Sequence, residues 1–361
     1  MVVGGGAIGA ACARELARAG WRVIVLDPDG ERGQAWRAAA GMLAPQIEAG
    51  EGHALLELGL AARERYGPLA DELRASTGID VGLRREGIAN LAMDEADVAR
   101  LRAKVAWQRQ QGLVCDWLEP GEVRGRWPAL GTCLGALWAP HEGAIDPVRL
   151  VEALRADAAA AGARLTCDEA VRLERRGDRV VGIVGRHSRY PAGAVVLAAG
   201  AWTGGVVGAA RPACVAPGRG QMAALQWPPE LTPGIFYGKD CYVLARDGEA
   251  ICGSTLEYAG FDPSVTSEGL SRILAAAGTL CPPLAGLDVR RTWAGLRPMT
   301  PDGLPLLGAE PRVEGLWYAT GHGRNGILLA GITALMLRLL MCGQTPTEDL
   351  SALRPDRFWS A

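Results

Sequence analysis

The chain has 361 residues, a formal net charge of −2, 49% hydrophobic residues and 22% charged residues. This balance excludes a disordered polar chain, and the lack of a basic excess argues against a nucleic-acid partner. The length points to two domains, each with enough apolar sequence to bury a core. The nine cysteines (Cys12, Cys115, Cys133, Cys167, Cys214, Cys241, Cys252, Cys281 and Cys342) form no C-x-x-C, and the four histidines are dispersed. Unpatterned thiols in a chain this long indicate reduced cysteines and a cytoplasmic protein, and no metal site is expected.

At the N-terminus, Met1-Val2-Val3 is a short apolar strand. The run that follows places Gly4, Gly6 and Gly9 in G-x-G-x-x-G. In that pattern the first glycine makes a tight turn, the second lets backbone approach a pyrophosphate, and the third lets the next helix lie close to the sheet. The helix should begin near Ala7, with Ile8, Cys12 and Leu16 at spacing four and Gly20 at its end. Its free N–H groups and dipole suit an anion. Arg14, Glu15 and Arg18 interrupt this apolar region, so no signal peptide is expected. Trp21 to Leu26 reads as a second strand, and Asp27 lies eighteen residues past Gly9, where an acid can accept from ribose hydroxyls.

Pro28 to Arg37 is polar and reads as a loop. Ala38 to Pro45 is a run of mostly small residues that permits close backbone approach to a bulky ligand, or simply starts a core helix. His53 to Ser76 has helical apolar spacing through Leu58, Ala62, Tyr66, Leu69 and Leu73, and Gly78 ends it. Short strands are expected at Ile88 to Met93 and Gly135 to Ala139, with a charged helix over Glu95 to Gln111. Asp146 and Pro147 suit the start of a helix over Val148 to Ala161, and Gly162 its end.

Strands at Ala163 to Cys167, Ala170 to Arg175 and Val180 to Val184 follow, the last two joined by a hairpin turn at Arg176-Gly177-Asp178. Ala194 to Leu197 is a continuous apolar run, as for a strand buried on both faces, and it ends in Ala198-Ala199-Gly200-Ala201-Trp202. The end of that strand should lie beside a bound nucleotide. Cys241 to Leu244 and Glu249 to Cys252 read as paired strands, and Ser267 to Leu280 as a helix. Thr292 to Pro298 leads into a turn at Thr300 to Gly303, and Leu316 to Thr320 is another strand. Gly321 to Gly326 opens a helix over Ile327 to Cys342, which carries Arg338 and is short for a membrane span, so a buried helix is expected.

Taken together, these segments resemble the D-amino-acid oxidase superfamily of flavoproteins, and within it the glycine oxidase group of thiamine biosynthesis. The resemblance covers nearly the whole chain. It rests on Ala38-Ala39-Ala40-Gly41-Met42-Leu43, on Trp293-Ala294-Gly295-Leu296-Arg297-Pro298 and on Gly321-His322-Gly323-Arg324-Asn325-Gly326-Ile327-Leu328-Leu329. It implies an α/β fold with a Rossmann-like FAD-binding domain of glutathione-reductase type and a second, mostly antiparallel β-sheet substrate domain. Residues 1–80, 141–212 and 291–361 would form the first, and 81–140 and 213–290 the second.

The resemblance also implies site residues. Gly4, Gly6, Ala7, Ile8 and Gly9 would meet the FAD pyrophosphate, and Asp27 with Pro28 the adenosine ribose. Ala40, Gly41 and Met42 would run along the flavin, Ala35 and Trp36 just before them would also meet the cofactor, and Val171 would contact the adenine through its backbone. Ala199, Gly200 and Trp202 would lie beside the cofactor. His322, Gly323, Arg324, Asn325, Gly326, Ile327 and Leu328 would wrap the isoalloxazine ring. Arg297 would clamp a substrate carboxylate, joined by the Tyr242 hydroxyl, with Arg324 a second arginine nearby. The implied reaction is oxidation of glycine or another small amino acid or amine by hydride transfer to flavin N5, giving an imine and hydrogen peroxide. FAD would be non-covalent, dioxygen the acceptor, and the assembly a homo-oligomer.

Two departures stand out. Relatives carry hydroxyl residues just before the Ala-Ala-Gly-Met segment, whereas this chain has Ala35, Trp36 and Arg37, with Arg37 offering a charge instead. Gly323 stands where relatives often have a larger side chain, which leaves room for a substrate bulkier than glycine. The rival readings are a D-amino-acid dehydrogenase with a quinone or dye acceptor, a sarcosine- or proline-type oxidase, and a flavin-bearing subunit of a larger complex.

Overall fold

A computed structural model describes residues 1–28, 30, 33–208 and 215–358, so Cys214 lies outside the described residues. The strand Val2–Val3 sits inside a six-stranded sheet. It is parallel to Ile24–Leu26 on one side and to Val195–Leu197 on the other. Arg164–Thr166 and Leu316–Thr320 extend the parallel part, and Leu306–Ala309 closes one edge antiparallel. Val195, Val196 and Leu197 are fully buried, as a continuous apolar run requires.

Four helices cover one face: Ala7–Arg18, Leu56–Thr77, Pro147–Ala160 and Gly326–Met341. Cys12, Leu16, Tyr66, Leu73, Leu150, Leu154, Leu329 and Leu337 make one apolar core between them. The other face is covered by a three-stranded antiparallel sheet of Ala170–Arg176, Arg179–Gly185 and Arg189–Pro191, which packs Leu173, Ile183 and Tyr190 against Val3, Leu26 and Leu316. The hairpin turn falls at Gly177-Asp178, with Arg176 opposite Arg179. The last of these three strands was not legible beforehand.

The helix termini follow their sequence punctuation. Asp146 accepts from the Val148 and Arg149 N–H groups, and Gly78 closes the Leu56–Thr77 helix in the left-handed region at φ 75°. Trp21 does not start a strand. Its N–H, with that of Gly20, returns to the carbonyls of Leu16 and Ala17 and finishes the first helix, so the strand begins at Ile24. Pro28 to Arg37 is not all loop, because Ala35–Ala38 forms a short helix.

A second sheet of eight strands, antiparallel except for one pair, carries its own core around Phe236, Val243, Cys252 and Ile273. Tyr242–Arg246 and Glu249–Gly253 pair there as expected. Asp116–Leu118 adds an edge strand that alternation did not reveal. Val289–Met299 pairs along Ala216–Gln226 over ten registered positions. The expected boundary at 290/291 falls within this strand, whose segment through Met299 is therefore part of the eight-stranded sheet. The architecture is an α/β fold with a Rossmann-like region and a second, mostly antiparallel sheet. No helix among the described residues is long and apolar enough to cross a membrane.

A Cβ on Gly9 would lie 1.9 Å from the Gly4 carbonyl oxygen, so the glycine is what allows the first helix to touch the sheet turn. Gly9→Ala should cost about 1–3 kcal/mol by overpacking. Gly20 faces open space at φ 85°, and Gly20→Asn should be nearly neutral. Thermal denaturation of both variants checks this, and equal melting temperatures would show that the close approach is dispensable.

Candidate functional site

A cleft runs from the glycine turn of the six-stranded sheet to the face of the eight-stranded one. Gly4 makes the turn at φ 94°, and a Cβ there would sit 2.5 Å from the Ala198 carbonyl oxygen. Gly6 is the N-cap of the Ala7–Arg18 helix, and among the described residues no side chain caps that end. The helix therefore presents its first N–H groups and positive dipole end to the cleft, beside Ala7 and Ile8. Gly9 is not on the cleft wall; it acts behind it, in the packing just described.

Asp27 lies at the carboxyl end of its strand and, with Pro28, lines the cleft. Its carboxylate accepts from the Gly5 N–H and, at 2.8 Å, from Arg155 Nη2. Arg155 Nε also donates to the Gly5 carbonyl at 2.7 Å. Arg155 comes from the Pro147–Ala160 helix and was not legible as a site residue, since nothing local to Asp27 in sequence marks it. Its guanidinium lies 5.4 Å from the Trp36 ring centroid. Ala35, Trp36, Ala40, Gly41 and Met42 all line the cleft, as do Ala199, Gly200 and Trp202. At Gly41, φ 84°, a Cβ would meet the Ile145 carbonyl oxygen at 2.0 Å. Arg37 is not on the cleft wall. It is exposed, with its guanidinium 4.4 Å from the Trp36 ring. Val171 is also off the wall, which is formed there by Glu169 and Ala170; its carbonyl accepts from the Val207 N–H.

At the other end, the turn from His322 to Gly326 and the start of the Gly326–Met341 helix, Ile327 and Leu328, line the cleft. No side chain caps this helix either. The Tyr66 hydroxyl donates to the Ile327 carbonyl and ties the helix start to the neighbouring helix. His322 is buried, shares a 3.0 Å hydrogen bond with the Thr333 hydroxyl, and leaves Nδ1 without a partner among the described residues. Burial pulls its imidazole down to about 3, so it is uncharged at neutral pH. Gly323 (φ 52°) leaves space: a Cβ there would meet only Met299, at 3.5 Å or more.

Arg297 enters the cleft from the long strand Val289–Met299. Its Nη1 donates to the Thr255 carbonyl at 2.9 Å and its Nη2 to Ser254 Oγ at 2.7 Å. Its planar group lies against Gly220, where a Cβ would be 2.2 Å from Nη1. No described carboxylate forms an ion pair with it, and burial holds it below the usual arginine range. Tyr242 stands beside it, with its hydroxyl 3.3 Å from Met222 Sδ. Burial pushes that phenol up to about 12, so it keeps its proton.

A second, more polar cleft meets the first at Arg297, Tyr242, Ser254, Gly323, Arg324 and Glu48. Arg324 stands at this mouth, half its side chain in solvent, 3.4 Å from Glu48. The Tyr237 hydroxyl donates to the same Glu48 oxygen at 2.9 Å. Among the described residues Glu48 is the one acid lining both clefts. Sequence reasoning missed it, because its partners are remote in the chain. The short helix that carries it is fixed from below by fully buried Glu142, which accepts from the Gln46 and Ile47 N–H groups. Burial pushes the Glu142 carboxyl up to about 8.

The cleft fits FAD on this structure's own terms. Two uncapped helix ends, a glycine turn that a Cβ would fill, and an unpartnered imidazole nitrogen match a long anionic ligand with a flat polar ring. Among the described residues no cysteine lines it, and no acid, histidine or cysteine group could hold a metal.

Comparison with known proteins agrees. A family model described as FAD dependent oxidoreductase matches residues 1–339. The glycine oxidase of Geobacillus kaustophilus is 35% identical over 360 residues, covering 97% of this chain and 94% of the relative. The glycine oxidase of Pseudomonas aeruginosa is 33% identical, covering 98% of each. The crystal structure of the Geobacillus kaustophilus enzyme superimposes with a TM-score of 0.92 at 33% identity, over 98% of this chain and 96% of that one. The glycine cradle, the uncapped helix ends and these similarities over almost the full length place the chain in the FAD-dependent oxidoreductases of the D-amino-acid oxidase superfamily.

Proposed function

We propose that this FAD-dependent amino-acid oxidase acts on glycine or a comparably small amino acid or carboxylate-bearing amine, holds FAD without a covalent bond, and delivers electrons to dioxygen. The products are an imine, which hydrolyses to a keto acid and ammonia, and hydrogen peroxide. The observation that carries this reading is Arg297, a guanidinium in the cleft held by two neutral acceptors and lacking a carboxylate partner among the described residues. Such a group gains most from an incoming carboxylate. The glycine oxidases of Geobacillus kaustophilus and Pseudomonas aeruginosa support the choice of a small amino acid.

FAD, when bound, supplies the two-electron acceptor. The protein's own work is positioning. Arg297 and the protonated Tyr242 hydroxyl would grip the carboxylate and so fix the neighbouring carbon. Gly323 supports a substrate somewhat larger than glycine, since its site is open. Arg324 and Glu48, paired at the mouth, would meet the polar end of the substrate as it enters. His322 is assigned to structure and cofactor contact, because an imidazole titrating near 3 is uncharged at neutral pH and too weak a base to take a proton from the substrate. The lack of a cysteine on the cofactor cleft wall, among the described residues, supports non-covalent FAD.

Incubating the purified protein under air with a panel of small amines and both enantiomers of amino acids, and reading peroxide, tests the reading. Peroxide with glycine or a small amino acid is expected. Flavin that the substrate reduces but that only an added quinone or dye, and not air, reoxidises would overturn the acceptor assignment. Arg297→Ala should lower kcat/KM for carboxylated substrates roughly 10²–10³-fold while leaving FAD bound, and Tyr242→Phe roughly tenfold. Equal loss of flavin in Arg297→Ala would contradict the assigned role.

A pH dependence of stability follows from His322. Its folded value near 3 lies below its ordinary 6.5, so the unfolded chain binds the extra proton between them. The stability contributed by neutral His322 is complete above about 6.5 and is lost as pH falls toward 3. His322→Gln should flatten the decline of melting temperature across that range. An unchanged slope would assign the acid lability to other groups.

A further inference from the structure

Residues 254–266 leave the strand Glu249–Gly253 and return at the helix Ser267–Leu280. They are held with unusual care for a surface connection. The Arg219 and Glu257 backbones bond in both directions, at 2.8 and 2.9 Å. The Arg219 side chain, only 8% exposed, reaches Glu257 Oε2 through Nε at 2.8 Å and Asp262 Oδ2 through Nη1 at 2.8 Å. Gln221 donates to Glu257 Oε1 at 2.8 Å and accepts from the Thr266 N–H at 2.8 Å. Pro263 rests on Gly33, where a Cβ would lie 2.6 Å from the proline ring.

Against that anchoring, the segment carries an exposed ring. Phe261 is 53% exposed, yet it lines the cofactor cleft and lies 5.8 Å from the Trp202 ring at an interplanar angle of 34°. Trp202 belongs to the turn after the strand Val195–Leu197, so the ring pair joins the two sheets across the cleft. A largely buried guanidinium thus fixes an acid on each side of the exposed phenylalanine and holds the ring's segment at the cleft. The root of the same segment, Ser254 and Thr255, supplies the two acceptors that hold Arg297.

We propose that residues 254–266 form a strap across the cofactor cleft, and that Phe261 is a cofactor-contact residue whose ring, with Trp202, closes the cleft on bound FAD. The inference rests on the reading of this cleft as the FAD site. The ring adds apolar contact to a flat heterocycle and keeps water from the cleft edge, while Arg219 keeps the strap from swinging away. Tyr258 on the same strap is 72% exposed and is not on the cleft wall.

The test is FAD affinity, read by fluorescence titration of the flavin-stripped full chain. Phe261→Ala should raise the FAD dissociation constant about tenfold, which is the scale of a lost aromatic contact. Phe261→Tyr should restore it, Tyr258→Ala should match the unaltered chain, and circular dichroism should show all three folded. An unaltered chain that binds FAD, with Phe261→Ala binding it equally well, overturns the strap. So does a Phe261→Ala variant that binds FAD normally but elutes differently on gel filtration, which would give the ring to a subunit contact. An unaltered chain that binds no FAD overturns the cofactor reading itself, and the strap with it.

Discussion

A guanidinium held in a cleft by neutral acceptors is an incomplete electrostatic arrangement. Arg297 has the Thr255 carbonyl and the Ser254 hydroxyl as partners, at 2.9 and 2.7 Å, and no described carboxylate in ion-pair range. Neutral acceptors satisfy its hydrogen-bonding directions but not its charge. The site is therefore complementary to a small acid before any such acid arrives. Much of the surrounding structure serves to keep it so. The strand Val289–Met299 delivers the arginine, Gly220 on the paired strand leaves the space it fills, and the strap root holds its two nitrogens.

The same logic, with the same sign of charge, operates where two helices start on the cleft. The Ala7–Arg18 and Gly326–Met341 helices both begin at the cleft without a side-chain cap. A helix start left uncapped beside a cavity is a site waiting for acceptors. The parallel sheet brings the glycine turn to one end of the cleft, and the Tyr66 hydroxyl fixes the second helix start from behind. On the proposed function, cofactor and substrate would be recognised by separate devices, one made of backbone dipoles and one of a side-chain fork. The eight-stranded sheet owns the fork and the six-stranded sheet owns the dipoles.

Much of this was legible in the sequence because the signals are local. Gly20, Asp146 with Pro147, and Gly162 mark helix ends through local requirements that do not depend on the rest of the fold. The helix Ser267–Leu280 was legible to the residue, and the apolar run before Ala198 announced a strand buried on both faces. What was not legible depends on contacts between distant segments. Arg155 meets Asp27 across 128 residues, and Arg324 meets Glu48 across 276. No spacing rule connects such pairs. Arg37 was misjudged for a related reason: a charge next to a ligand-facing segment can turn outward, and here it lies over the Trp36 ring instead. The boundary at residue 290 fell inside a strand because the strand's partner, Ala216–Gln226, is what assigns it to a sheet.

If Arg297 places the reacting carbon, the cleft selects the carboxylate rather than the amine. Anaerobic titration of the yellow protein with glycine, and separately with methylamine, tests it most directly through the visible absorbance of the flavin. Bleaching by glycine at concentrations where methylamine leaves the colour intact is the predicted result. Equal bleaching by both amines would contradict the account, since the arginine fork would then play no part in placing the reacting carbon.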